Sequence, residues 1–236
     1  MPFENKTIVI TGVGREGQVG EAVARAAAER GALVALVTRR REDAEARATA
    51  LVRASHRATA HGCDLTSEPA VARLAAEVAD VAGGRIDGLV NLAGGFAASG
   101  PVGESTLAAW EQQMAINLTT AYLATRAFLP LLRPARGAIV YFGSAGALPG
   151  ARTARTSAYA AAKTAVLALM RAVADEERPA GVRANAVAPI AVRTQSNLAA
   201  MGEGTRYVER EAVADAVVFL CSEAAWAVSG ETIRLE

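Results

Sequence analysis

Lysine is nearly absent from this chain. Of its 25 basic residues only Lys6 and Lys163 are lysines, and the rest are arginines. Aromatic residues are scarce at 5% against a hydrophobic fraction of 52%, so Ala and Val must fill the core by close helix-on-sheet packing. Two cysteines, Cys63 and Cys221, cannot build a disulfide framework, and reduced thiols in a cytoplasmic protein are expected. With a formal net charge of +1 there is no basic footprint for nucleic acid. No run reaches the roughly 18 apolar residues of a membrane span. Met1–Lys6 lacks the apolar stretch of a secretory leader and runs directly into an apolar strand. The two histidines and two cysteines show no ligand spacing, so no metal site is expected. These absences leave small molecules and copies of the chain itself as partners.

What is present is an alternation of short apolar runs with Ala-rich segments of helical period. Thr7–Thr11, Leu33–Thr38, Leu89–Leu92, Ala138–Phe142, Arg183–Val187 and Thr232–Leu235 read as strands, with Thr59–His61 a weaker candidate. Several are continuously apolar, as in strands buried on both faces. Helices are predicted at about 19–30, 42–55, 68–81, 107–131, 154–177 and 211–222. Ser67 with Pro69, Gly31 and Ser105-Thr106 supply helix-end signals. Strict β–α alternation without a linker or repeat predicts a single-domain, doubly wound α/β fold over residues 1–236. It should hold a Rossmann-type parallel sheet of about seven strands with helices on both faces.

The first strand ends in Thr11-Gly12-Val13-Gly14-Arg15-Glu16-Gly17-Gln18-Val19-Gly20, after which a helix begins. Glycines between a strand and a helix let the backbone approach a pyrophosphate, which then faces the helix amides. The second strand ends in Thr38-Arg39-Arg40-Arg41. An acidic residue there would accept a bond from a ribose 2′-hydroxyl, whereas arginine binds a 2′-phosphate. NADP(H) is therefore the expected cofactor and NAD(H) the alternative, with Arg15, Arg39 and Arg40 toward the phosphate.

Tyr159 and Lys163 stand four residues apart on a predicted helix and share a face. An ammonium beside a phenol is expected to lower its pKa and make Tyr159 a general acid/base. Because almost every other cation is arginine, a compact ammonium at 163 points to a requirement for one. Ser144 follows the strand Ala138–Phe142, at the carboxyl end of the sheet where such folds bind ligands. A hydrolase is excluded: Phe142 replaces the first glycine of a G-x-S-x-G elbow, and no motif links His56 or His61 to Ser144.

Taken together, Thr11-Gly12…Gly20, Cys63-Asp64-Leu65-Thr66, Asn91-Leu92-Ala93-Gly94, Ile116-Asn117-Leu118, Ser144, Tyr159…Lys163, Asn185–Pro189 and Thr194 resemble the short-chain dehydrogenase/reductases over nearly the whole chain. The resemblance implies carbonyl/alcohol oxidoreduction, with Tyr159 as proton donor or acceptor. Lys163 would hold the nicotinamide ribose, Ser144 would position the carbonyl, and Asn117 would hold a relay water. It also implies that Gly12, Gly14 and Gly20 cradle the pyrophosphate and that Asp64 and Leu65 meet the adenine. Asn91, Ala93 and Gly94 would pass the adenosine ribose, and Pro189, Val192 and Thr194 would cover the nicotinamide. The Tyr-x-x-x-Lys spacing is similar to carbonyl/alcohol members rather than enoyl reductases.

There are departures from the family pattern. The glycine loop is two residues longer before Gly20, Leu92 replaces a second Asn, and Ile190 replaces a Gly after Pro189. The stretch from Thr194 to about Glu211 is short for a substrate lid, and the terminal glycine pair is missing. Gly95–Ala98, Leu148–Arg155, Asn197, Met201 and Tyr207 are expected to border the substrate. Arg152 and Arg155 are candidates for an anionic group on it. Small residues on the helices near 107–131 and 154–177 predict a homodimer or homotetramer. The rival readings are a reductase of a planar pterin or quinonoid ring and a catalytically silent NADP-binding regulator.

Overall fold

The computed structural model describes residues 1–236. Seven parallel strands form one sheet: β1 (Thr7–Thr11), β2 (Leu33–Thr38), β3 (Arg57–Gly62), β4 (Gly88–Asn91), β5 (Ala138–Phe142), β6 (Arg183–Pro189) and β9 (Thr232–Leu235). Their order is β3-β2-β1-β4-β5-β6-β9. The chain winds outward from β1 to β3, then restarts beside β1 at β4. The crevice at that reversal, above the carboxyl ends of β1 and β4, is where ligands bind in such sheets.

Alternating residues of each strand feed two separate cores. Ile8, Ile10, Val34, Leu36 and Val140 pack on one face, with α1 (Val19–Glu29), α2 (Arg41–Arg53) and α8 (Arg210–Cys221). Val9, Ala35, Val37, Ile139 and Tyr141 pack on the other, with α3 (Glu68–Ala82), α5 (Thr120–Leu132) and α6 (Ser157–Glu176). Burial on both faces is why these strands show no polar alternation. No helix is long and apolar enough to cross a membrane.

The structure departs from the expected elements in four places. The long helix predicted at 107–131 is two helices, α4 (Leu107–Met114) and α5, joined by a π turn over Ala115–Thr119. There Asn117 Nδ2 donates to Gln113 O at 3.1 Å and Thr120 Oγ1 to Ile116 O at 2.9 Å, so side chains take carbonyls of the preceding turn. Helix α6 begins three residues later than predicted, because Arg155 adopts a left-handed backbone, φ 65°. Ser67 stands at the N-cap of α3 but its hydroxyl caps nothing. Instead Asp64 Oδ1 accepts from the amide and hydroxyl of Thr66 just upstream. The stretch after Thr194 holds an unpredicted helix, α7 (Gln195–Met201). It is framed by a two-strand pairing of β7 (Val192–Arg193) with β8 (Val208–Glu209).

Candidate active site

Thr11 draws the two halves of the crevice together. Its hydroxyl donates to Val90 O at 3.1 Å and accepts from the amides of Leu92 and Ala93 at 3.0 and 3.1 Å. The Asn91–Gly94 segment is thereby seated against the glycine loop. Gly12 turns with φ +80°, and a Cβ on it would stand 2.9 Å from Ala93 N. A Cβ on Gly14 would meet Thr38 Oγ1 at 2.9 Å, and one on Gly20 would meet Gly12 O at 2.7 Å. Glycine is required here by close approach: the loop meets the backbone just after β4, the Thr38 side chain at the end of β2, and the start of α1. Asn91 points away from the crevice, donating to Thr125 Oγ1 at 3.0 Å within the core; its Oδ1 is buried without a partner.

Residues Glu16, Gly17 and Gln18 of the lengthened loop have definite partners. Gly17 N–H donates to Glu21 at 2.7 Å, and Arg47 on α2 pairs with Glu21 at 2.9 Å and with Glu16 at 3.5 Å. Gln18 accepts from Ser196 on α7 at 3.2 Å, which ties the loop to the lid. Nothing in the sequence pattern distinguishes these residues.

The three arginines after β2 are not equivalent. Arg40 lies near Glu42 and Asp43, at 3.8 and 3.9 Å, and Arg41 pairs with Glu45 at 2.9 Å. Arg39 makes no ion pair, and its charge helps hold the Asp64 carboxyl below its usual range, after the larger effect of the Thr66 bonds. Arg15 on the glycine loop is exposed. Leu65 is buried beneath Asp64, whose Oδ2 remains free.

On the nicotinamide side, Lys163 is only 6% exposed, and its Nζ donates to Phe142 O at 2.9 Å. Burial lowers its pKa to about 8. The other two ammonium protons have no protein acceptor, an unusual state for a buried cation. Gly94 forms the wall beside it: a Cβ there would lie 2.5 Å from Asn117 Oδ1 and 3.3 Å from Lys163 Nζ. Asn117 is locked by reciprocal bonds with Gly95, 3.1 Å from its amide and 3.0 Å to its carbonyl. A buried Gln113 adds a further acceptor at 3.3 Å. A backbone cradle that excludes Cβ atoms and a buried ammonium with free donors fit a dinucleotide.

One expectation is corrected. Lys163 does not lower the tyrosine pKa here: its Nζ stands 6.0 Å from the Tyr159 ring centroid and is directed to Phe142 O. Burial instead raises the Tyr159 phenol above its ordinary value, opposed only by a hydrogen bond with Ser144. Ser144 Oγ accepts from Gly146 N–H at 3.2 Å, and its own proton is directed to the Tyr159 phenol oxygen.

Of the residues expected at the substrate's edge, Tyr207 and Asn197 are committed to the lid. Tyr207 donates to Asn197 O and Gly202 O, at 3.2 and 2.8 Å, and Asn197 Nδ2 donates to Val192 O at 2.8 Å. Thr194 caps α7, accepting from Asn197 N at 3.2 Å, while Pro189 ends β6 and Val192 begins the small pairing.

A sequence profile described as Enoyl-(Acyl carrier protein) reductase matches residues 12–236. The chain is 35% identical to 2-(S)-hydroxypropyl-CoM dehydrogenase 3 of Xanthobacter autotrophicus, over 99% of this chain and 96% of that one. It is 34% identical to meso-2,3-butanediol dehydrogenase of Serratia marcescens, over 100% and 95%. A solved short-chain type dehydrogenase/reductase from Mycobacterium ulcerans aligns with a TM-score of 0.91 at 27% identity, covering 99% of this chain and 89% of that one. The chain belongs to the short-chain dehydrogenase/reductase family. It is an NAD(P)-dependent oxidoreductase, and its relatives named here are dehydrogenases of hydroxy compounds.

Proposed function

We propose that the protein interconverts a carbonyl and an alcohol with NADP(H), using Tyr159 as the general acid/base. The observation that carries this reading is the arrangement at the carboxyl ends of β4 and β5. A phenol kept protonated by burial, a serine hydroxyl bonded to it and a buried ammonium with two free donors are gathered there.

In reduction, the Ser144 hydroxyl turns its hydrogen bond from the phenol to the carbonyl oxygen and fixes its direction. Tyr159 then transfers its proton to the oxygen as negative charge develops there; the raised pKa means the acid form is present at neutral pH. The Lys163 ammonium, fixed by its bond to Phe142 O, would hold the ribose of the nicotinamide through its two free donors. When bound, the nicotinamide exchanges a hydride with the substrate carbon. Asn117, held rigid by Gly95 and Gln113, would hold the water that returns a proton to Tyr159. Gly12, Gly14 and Gly20 would admit the pyrophosphate, and Asp64 would accept from the adenine amine. Arg15 and Arg39, neither paired with a carboxylate, would meet the 2′-phosphate, whereas Arg40 is turned to its own helix. The apolar Leu107, Trp110 and Tyr122, exposed on α4 and α5, support assembly of copies through these helices.

Turnover of secondary alcohols and ketones with NADPH and NADH tests the reading. Tyr159→Phe should lose at least about a thousandfold in kcat with cofactor affinity unchanged. Arg39→Ala should raise the KM for NADPH about tenfold or more and leave that for NADH unchanged. An active Tyr159→Phe ends the mechanism, and a wild type more efficient with NADH ends the NADP assignment. Turnover of an enoyl thioester, with none of any ketone, would support the alternative in the matched profile's description.

A further inference from the structure

The loop after β4 carries a ring that the chemistry above does not use. Phe96 meets Tyr159 edge to face, with centroids 5.0 Å apart and an interplanar angle of 80°. It is nevertheless 66% exposed, and Ala97 and Ala98 beside it are exposed as well. An aromatic ring left largely in water next to the reacting group is uncovered apolar surface in the one place where a substrate must sit.

The loop that presents it is anchored on both sides. Gly95 is bonded through its amide and its carbonyl to Asn117. Ser99 and Gly100 donate their amides to Arg155 O at 2.9 and 3.1 Å, and the hydroxyls of Ser99 and Ser157 lie 3.3 Å apart. The acceptor, Arg155, is held in a left-handed backbone that a non-glycine residue adopts only when its surroundings enforce it. Phe96 is therefore carried on a fixed span between the π turn and the entrance of α6, the two segments that also set Asn117 and Tyr159. Two rings at right angles leave a corner that a third ring fills by offset or edge contact. An extended polyol would press its hydroxyls against the same apolar wall without partners.

Resting on the carbonyl/alcohol reading, we infer that Phe96 is a specificity-determining residue and that the substrate is a ring-bearing secondary alcohol or ketone. Its reacting carbon lies in, or next to, an aromatic or alicyclic ring that packs on Phe96. Covering about half of the exposed ring corresponds to roughly a tenfold gain in affinity.

The experiment compares wild type and Phe96→Ala on 1-phenylethanol and acetophenone against 2,3-butanediol. It reads kcat/KM together with the Kd of acetophenone for the full-length protein with NADP⁺, by ligand-observed NMR. A roughly tenfold loss of kcat/KM and of affinity on the ring-bearing compounds, with 2,3-butanediol within twofold, supports the inference. An equal loss on every substrate means that Phe96 acts only by holding Tyr159, and overturns it. An unchanged variant, or a wild type tenfold better on the acyclic diol, overturns it too. The NMR titration needs no turnover, so failure of the two readings is distinguishable. Weakened ring binding in a protein that oxidises no alcohol keeps Phe96 and rejects the chemistry, whereas normal turnover with unmoved binding does the reverse. Because Phe96 is exposed, the variant should fold, and an unchanged melting temperature checks this.

Discussion

Gly94→Ala tests the wall beside the ammonium by adding one methyl group. Gly94 does not need positive φ, so alanine meets no backbone penalty and the effect belongs to the Cβ alone. That Cβ would lie 2.5 Å from Asn117 Oδ1, whereas an unstrained C···O contact is about 3.3–3.6 Å. The oxygen must retreat by roughly 0.8–1.1 Å, and it is not a free side-chain end. Asn117 is held by Gly95 N–H at 3.1 Å, Gly95 O at 3.0 Å and Gln113 O at 3.1 Å. Breaking the Gly95 bond strands a part-buried amide, a cost of about 1–3 kcal/mol. For a chain of this length that is a fall of about 2–12 °C in Tm. Displacement of roughly 1 Å beside the reacting groups should lower kcat by about a hundredfold. The assay is a thermal melt paired with steady-state turnover, with Gly103→Ala as control, since its Cβ meets nothing within 4 Å. A Gly94→Ala protein with wild-type Tm and kcat within twofold would refute the account of the wall.

Two further expectations concern charge and pH. Burial lowers Lys163 to about 8 from an ordinary 10.5, so its cost to folding is fully present below pH 8 and fades as pH rises toward 10.5. Without cofactor, wild type should therefore gain about 2–3 kcal/mol relative to Lys163→Met between pH 7 and pH 10. Urea unfolding at the two pH values measures this, and a pH-independent difference would contradict it. Arg133 grips the buried Glu177 with two bonds, 2.9 and 2.7 Å, and holds its carboxyl below the ordinary range. Since Arg133 is half exposed, Arg133→Ala should cost about 1–2 kcal/mol at pH 7. Because the folded pKa is lowered, that stabilisation is present above about pH 4.3 and is lost as pH falls through the folded value. A loss as large at pH 3 as at pH 7, read by denaturant unfolding, would reject the pair.

The course of the fold was legible wherever the pattern is local. Strands such as Leu33–Thr38 are recognisable because both faces are buried, and the loop of Gly12, Gly14 and Gly20 because turn and helix are adjacent in sequence. Tyr159 and Lys163 were legible as a pair because a helix brings residues four apart onto one face. Helix periodicity alone does not register the π turn at Ala115–Thr119, since a side chain that takes a carbonyl of the preceding turn leaves the apolar repeat intact. Arg39, Arg40 and Arg41 read alike, and only their neighbours distinguish them: Glu42, Asp43 and Glu45 occupy two of the three. Asn197 and Tyr207, expected to face the substrate, belong to the bonding of the lid.

The sequence by itself determined the parallel doubly wound sheet, the glycine cradle and the identity of the candidate acid, base and ammonium. Each depends on residues close in the chain or on one-dimensional periodicity. The tertiary structure alone decided that burial raises the Tyr159 phenol, that Lys163 turns to Phe142 O, and that Phe96 stands uncovered at the reacting ring. Those facts depend on distances between β4, β5, α4 and α6, elements separated by tens of residues, and on the water that their packing excludes.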